Sequence, residues 1–201
     1  MNACLRGAQK AGAEIEFIDL CKLNIRYCIA CGECFLKGTC VHEDDFSKVL
    51  EKMRASDGMV WGSPVYIDSV TGQMKTLLDR LAESIHCQYF LGKYGCAVST
   101  SGSSGEKEVV DYLNNTFLKL GGTVVGGAFV AVGSRPDAIL IGENLAHELG
   151  KTLGDAIKKR LTYPEQDAYH VAFRTRFKHT IRDHKEDWAH DYRIWEEAGW
   201  L

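Results

Sequence analysis

Apolar positions recur along this chain with two alternating periods, one suited to strands and one to helices. Residues 14–20 (Glu14-Ile15-Glu16-Phe17-Ile18-Asp19-Leu20) alternate polar and apolar and predict a strand, whereas Asp44 to Ser56 carries Phe46, Val49, Leu50 and Met53 at helical spacing behind an acidic start. Gly58 to Tyr66 then predicts a strand, Thr71 to Ile85 a helix with Met74, Leu77, Leu78 and Leu81 on one face, and Tyr94 to Thr100 the next strand. Glu106 to Leu120 predicts a helix, Thr123 to Val132 a strand and residues 143–161 another helix. Parallel strands need crossover connections, usually helices, so this order predicts an open α/β fold whose parallel sheet is covered on both faces.

In such a sheet ligands bind outside the carboxyl ends of the strands, near the point where strand order reverses. Two loops are expected there: Ser63-Pro64-Val65-Tyr66 with the polar stretch to Thr71, and Ser99-Thr100-Ser101-Gly102-Ser103-Ser104-Gly105 ahead of Glu106. Small residues let backbone N–H groups approach a flat or anionic ligand, and the helix behind the second loop adds a positive dipole end. The same residues also suit an ordinary turn and N-cap. Neither loop is a Walker loop or a G-x-G-x-x-G fingerprint. Pro64 stiffens the first loop, and Tyr66 offers a stacking face or simply covers a core edge.

The last strongly patterned stretch is the tail. Phe173, Phe177, Ile181, Trp188, Tyr192 and Trp195 recur at intervals of four, four, seven, four and three, which places them on one face of a helix between about Tyr169 and Ala198. That face must be buried, either on a neighbouring subunit or on its own domain. With 201 residues, 45% of them hydrophobic, we expect one domain over residues 1–162 and a helical extension over residues 163–201. His170, His179, His184 and His190 lack a mutual i, i+4 pattern and read as surface or interface residues.

Composition removes several classes of function. The net charge of −3 is spread along the chain, which argues against nucleic acid and anionic membrane partners. No apolar run approaches the roughly eighteen residues of a membrane span, and the N-terminus lacks a secretory pattern; a soluble, cytoplasmic protein is expected. Eight cysteines are too few for a disulfide scaffold at this length. Four of them are crowded as Cys28-x2-Cys31-x2-Cys34-x5-Cys40. A C-x2-C-x2-C start lets one short loop wrap three corners of an iron-sulfur cubane, with the fourth thiolate from the next turn. A cysteine-rich loop without metal, and zinc or redox-thiol use, stay open beside that reading, although structural zinc sites usually take two separated cysteine pairs. Cys4, Cys21, Cys87 and Cys96 are scattered and read as buried small hydrophobes.

Together the quartet leading into Glu43-Asp44-Asp45, the Ser63 to Tyr66 loop followed by Gly72-Gln73-Met74-Lys75 and Leu78-Asp79-Arg80, and the Ser99 to Gly105 loop resemble the flavodoxin-fold NAD(P)H-dependent FMN reductases, and within them the iron-sulfur flavoproteins. The resemblance covers nearly the whole chain. It implies a flavodoxin-like, doubly wound parallel sheet of order 2-1-3-4-5. FMN would be contacted by Ser63, Pro64, Val65, Tyr66, Ser99, Thr100, Ser101, Gly102 and Gly105, with a [4Fe-4S] cluster on Cys28, Cys31, Cys34 and Cys40. It also implies NAD(P)H as co-substrate and a homodimer or tetramer. In the family a strand and a small-residue phosphate loop precede the first helix, whereas this chain begins inside that helix at Met1-Asn2-Ala3-Cys4-Leu5. Roughly twenty residues of the plan, including its central strand, are therefore expected to be absent.

The function expected is an FMN-dependent oxidoreductase moving electrons between NAD(P)H or a ferredoxin-like donor and a small acceptor, with the cofactor supplying the chemistry and no side chain required as acid or base. Without a cluster the same fold would run as a simple FMN, quinone or nitro-compound reductase. The alternatives are a flavodoxin-like electron carrier without substrate turnover and a subunit that has lost its cofactor and persists for oligomer contacts.

Overall fold

Three of the predicted strands become one parallel sheet. The computed structural model describes every residue of the chain except Ser134. In chain order the elements are α1 (Asn2–Lys10), a 3-10 turn (Leu20–Lys22), α2 (Glu33–Lys37), α3 (Phe46–Ala55), β1 (Gly58–Pro64), α4 (Gly72–Asp79), α5 (Ala82–His86), β2 (Tyr94–Ser101), α6 (Glu106–Lys119), β3 (Thr123–Ala131), α7 (Ala138–Lys159), α8 (Pro164–Asp183) and α9 (Ala189–Glu197). The sheet runs β1-β2-β3, with Gly58 opposite Tyr94 and Tyr94 opposite Thr123. These correspond to the last three strands of a flavodoxin-like 2-1-3-4-5 sheet.

Alternation along each strand divides the core in two. Met59, Trp61 and Ala97 point to a layer containing Phe46, Val49 and Met53 of α3, Met74 and Leu77 of α4, and Val109, Val110, Leu113 and Phe117 of α6. Cys96, Val98 and Ala128 point the other way, to Ala3 and Cys4 of α1 and Ala146, Leu149 and Leu153 of α7. On that side the two helices meet backbone to backbone. A Cβ on Gly150 would overlap the carbonyl oxygen of Cys4, and one on Gly7 that of His147. Gly150→Ala is expected to cost about 1–3 kcal/mol through overpacking, a Tm fall of roughly 3–10 °C for a chain of this size; an unchanged melting curve would show that the α1–α7 contact yields freely.

The strand expected at residues 14–20 does not form. Residues 13–19 carry no regular structure, and Ile15 and Phe17 are exposed while Ile18 and Leu20 lean on the core. A strand needs a hydrogen-bonding neighbour. In the 2-1-3-4-5 order the neighbour of this segment is strand 1, and among the described residues no strand lies between it and β1. A cavity of about 1440 Å3 occupies that position, with residues 13–21 on one wall and β1 and α1 on the others.

Two helices expected as single rods are broken. The Thr71 to Ile85 helix divides into α4 and α5 at Arg80–Leu81, where the backbone bonds shorten to Arg80 N→Leu77 O and Leu81 N→Leu78 O. The tail helix divides into α8 and α9 between His184 and Trp188, and it packs on its own domain. Gln166 pairs with both the N–H and the C=O of Val124 at the start of β3, each at 2.8 Å, much as a neighbouring strand would. Trp195 is fully buried and donates to the carbonyl of His86 at 2.9 Å, and Phe177 packs against both Trp188 and Trp195. No helix among the described residues is long and apolar enough to cross a membrane.

Candidate functional site

The carboxyl ends of the three strands converge on one region. Val65 N donates to Thr100 O at 2.9 Å, extending the β1–β2 ladder into the first loop, and Val132 N and Gly133 N donate to Ser101 O and Gly102 O, joining the loop after β3 to the second. Ser63 ties the first loop together: its hydroxyl donates to Pro64 O at 2.9 Å and accepts from Thr71 N at 3.0 Å, while the Thr71 hydroxyl caps α4 by accepting from Met74 N. Between them Tyr66 and Ser69 exchange two backbone bonds around Ile67 and Asp68, both left-handed (φ 48° and 59°). A β-branched residue rarely holds that conformation, and Ile67 does so while 99% exposed. Such backbone strain clusters where loops serve ligands.

In the second loop Ser101 donates to Glu106 Oε2 at 2.6 Å, and Gly105, at the N-cap of α6, lies against Val65 and Asp68. Ser63, Pro64, Tyr66, Ser99 and Thr100 line the large cavity beside β1; Val65, Ser101, Gly102 and Gly105 lie outside its lining. The buried Ser99 hydroxyl has no hydrogen-bond partner. A buried polar group left unpaired is costly, so this orphan beside a roomy cavity, with a strained loop above it, fits a polar ring ligand such as FMN. Thr71, at the end of the first loop, and Gln73, neither of them among the expected ring contacts, also line the cavity; the capping position of Thr71 before the α4 pattern was the available signal.

The cysteine quartet forms the second region. Residues 28–40 leave the core as a loop turned by left-handed Ala30 and Gly32, enter the short helix α2 and close at left-handed Gly38. All four cysteines line one cavity of about 1000 Å3, Cys28 and Cys31 exposed, Cys34 and Cys40 half-buried, all as free thiols. Both ends of the loop are fixed by one ion pair that is almost fully buried. Arg80 donates to Asp44 at 2.8 and 3.3 Å and to the carbonyl of Arg26 at 2.8 Å, while Asp44 accepts from the N–H groups of Arg26 and Phe46. Burial works against the Asp44 carboxylate, but these hydrogen bonds prevail and hold its pKa below the ordinary value. The break between α4 and α5 falls at this arginine.

Burial, followed by the nearby Glu83 carboxylate and the Cys40 thiol, pushes the Cys34 thiol up to about 12. Assembly of a cluster must therefore displace a proton there. Four thiols of one loop gathered around one cavity are the donor set a cubane requires. Phe35 of α2, on the lining of this cavity, stacks on His86 of α5 with ring centroids 4.5 Å apart, and His86 stacks on Trp188 of the tail at 4.6 Å.

Two histidines and one cysteine stand elsewhere than expected. His170 and His190 are not surface residues: His170 is buried and pairs with Leu118 O at 3.1 Å, and His190 sits 3.1 Å from Glu83 and 2.9 Å from the Tyr89 hydroxyl. Their partners lie far away in sequence, so no local spacing announces them. Cys21 is exposed because it lies on the 3-10 turn that follows the irregular residues 13–19, whereas Cys4, Cys87 and Cys96 are buried as expected.

Comparison with known proteins agrees with this geometry. Residues 1–137 match the family model of NADPH-dependent FMN reductases. An iron-sulfur flavoprotein of Archaeoglobus fulgidus is 30% identical over the whole of this chain and 91% of its own length, and one of Methanocaldococcus jannaschii is 32% identical over 79% of this chain and 88% of its own. Among solved structures, an NADH:FMN oxidoreductase in its apo form is similar in fold, with a TM-score of 0.54, 21% identity and 82% coverage of both chains. RosB with a bound riboflavin-5'-phosphate derivative is similar with a TM-score of 0.64, 16% identity, and 87% and 78% coverage. The chain thus belongs to the NADPH-dependent FMN reductase family and, within it, groups with the iron-sulfur flavoproteins.

Proposed function

We propose that this FMN-dependent oxidoreductase passes electrons from NAD(P)H or a ferredoxin-like donor to a small acceptor through FMN and one [4Fe-4S] cluster held by Cys28, Cys31, Cys34 and Cys40. The observation that carries this reading is the convergence of the four thiols on one cavity whose lining includes the buried Asp44–Arg80 pair. FMN supplies the redox chemistry when bound, exchanging electrons in pairs or singly, and the cluster takes them one at a time. The chain's own residues position and shield. Ser63, Pro64, Val65 and Tyr66 of the first loop would offer the ring an aromatic face, and Ser99, Thr100, Ser101, Gly102 and Gly105 of the second an orphaned hydroxyl and backbone N–H groups, while Phe35, on the lining of the cysteine cavity, is held in place by His86 and Trp188. In this reading residues 1–162 carry both cofactor sites, residues 163–201 brace the cluster loop, and the working form is a homodimer or tetramer that brings flavin and cluster together.

The test is the anaerobic visible spectrum, before and after reductant, with iron and sulfide analysis. Resolved flavin bands over a broad sulfide-to-iron shoulder are expected, with four irons per chain. Cys31→Ser is expected to abolish iron incorporation while leaving the far-UV circular dichroism unchanged, because Cys31 is exposed and contributes nothing to the core. Flavin bands with no iron, or full iron in Cys31→Ser, would remove the cluster from the proposal.

A further inference from the structure

Behind the cysteine loop lies a cluster of side chains that neither cofactor uses. Glu83 and Cys87 project from one face of α5 and its C-terminal end, and His190 and Asp191 from the first turn of α9; one ligand atom from each lies within 4.8 Å of all the others. We infer that Glu83, Cys87, His190 and Asp191 form a second metal site, for one divalent ion of zinc's class.

Geometry comes first. Glu83 Oε1 is 3.1 Å from His190 Nε2, and Cys87 Sγ is 3.4 Å from Asp191 Oδ1. Ligand bonds of about 2.0–2.3 Å in a tetrahedron set its edges at about 3.3–3.7 Å, so the donor atoms already stand near the corners of a site. The donor types select the ion. A thiolate and an imidazole exclude magnesium and calcium, which take oxygen alone, and with two carboxylates they suit zinc and its neighbours.

Charge makes the stronger case. Glu83 is 6% exposed and Asp191 0%, and among the described residues no lysine or arginine pairs with either. Two carboxylates and a thiol buried side by side are unfavourable unless a cation joins them. The groups paired with them directly are imidazoles, His190 beside Glu83 and His86, whose Nδ1 is 2.7 Å from Asp191 Oδ2, while the Arg54 guanidinium over the Tyr89 ring acts on Glu83 only at a distance. An outer shell is also in place, since the Tyr89 hydroxyl donates to Glu83 Oε1 at 2.6 Å and His86 steadies the second oxygen of Asp191. Arg193 at present donates to His190 Nδ1 at 3.1 Å. Binding through Nε2 puts the ring proton on Nδ1, so the exposed Arg193 side chain must swing away; the Cys87 thiol proton leaves for solvent as the metal–sulfur bond forms.

The ion would join α5 to α9 directly under the cluster loop, where Gly38 presses on the His190 ring so closely that a Cβ there would overlap it. It would act as a structural fastener for the tail. The test is metal analysis of the purified, full-length protein after equilibration with zinc ion alone. About one zinc per chain is expected, with a raised Tm; His190→Gln is expected to weaken zinc binding by more than about tenfold. A chain with Cys28, Cys31, Cys34 and Cys40 all changed to Ser, titrated with cobalt(II), separates this site from the quartet. One tetrahedral cobalt with a single-thiolate charge-transfer band is expected, and Cys87→Ser is expected to remove that band. Zinc that stays with the chain in His190→Gln and disappears with the four serines belongs to the quartet and overturns the inference, as does the absence of zinc from the intact protein. Should the four-serine chain not fold, the zinc content of His190→Gln decides alone.

Discussion

Arg80→Met is expected to destabilise the protein by about 3–5 kcal/mol, because it leaves the Asp44 carboxylate buried with no counter-charge. The Asp44 side chain is fully buried and that of Arg80 all but fully, and the guanidinium also lies over the Phe46 ring at 4.4 Å, so methionine keeps part of the packing and none of the charge. For a chain of this length the loss corresponds to a Tm fall of roughly 10 °C or more. Because the pair holds both Arg26 and the segment after Cys40, iron retention is expected to fall with it. Arg80→Met combined with Asp44→Leu is expected to recover most of the stability, since an apolar pair removes the stranded charge. Urea unfolding of the parent and the two variants checks this; a single-variant loss below about 1 kcal/mol would mean that water reaches Asp44. The pH dependence has a definite sign. The Asp44 carboxyl has a folded-state pKa below its unfolded value, so its stabilising contribution is present above the ordinary carboxylate pKa and is lost as pH falls through the depressed one. The acid limb of the stability curve is therefore expected to be shallower in the double variant than in the parent.

What the sequence disclosed and what it concealed divide along physical lines. β1, β2, β3, α3 and α6 were legible because local period and burial agree there: Met59 and Trp61 face one layer, Cys96 and Val98 the other, and each strand has its neighbour. Residues 14–20 have the right alternation and, among the described residues, no neighbouring strand, and alternation specifies a face rather than a hydrogen bond. The break at Arg80 was hidden because the Leu77, Leu78 and Leu81 pattern runs through it; a buried salt bridge 36 residues long in sequence decides it. The quartet announced itself by spacing alone. The Glu83, Cys87, His190 and Asp191 cluster joins residues more than a hundred positions apart, and only the return of the tail onto α5 brings them together.

A chain carrying a strand and a small-residue turn ahead of residue 1 is expected to be more stable than residues 1–201 alone and to hold FMN more tightly. The edge of β1 away from β2 offers seven residues of parallel ladder, Gly58 to Pro64, to the cavity beside it. A strand laid there would satisfy that edge and give residues 14–20 the neighbour they lack, drawing Ile15 and Phe17, now 41% and 56% exposed, into a sheet. Burial of two such side chains is worth roughly 1–2 kcal/mol each once their present partial cover is allowed for. The turn would end at the first N–H groups of α1, where Met1 provides no side-chain cap and the helix carries its positive end. A phosphate held there by even one charge-assisted hydrogen bond gains about 1.5–3 kcal/mol, tenfold or more in Kd. Flavin fluorescence titration and thermal melts of the two chains side by side measure both effects. Equal melting points would show that the cavity does not take a strand, and equal FMN affinity with a raised Tm would place the phosphate away from the start of α1.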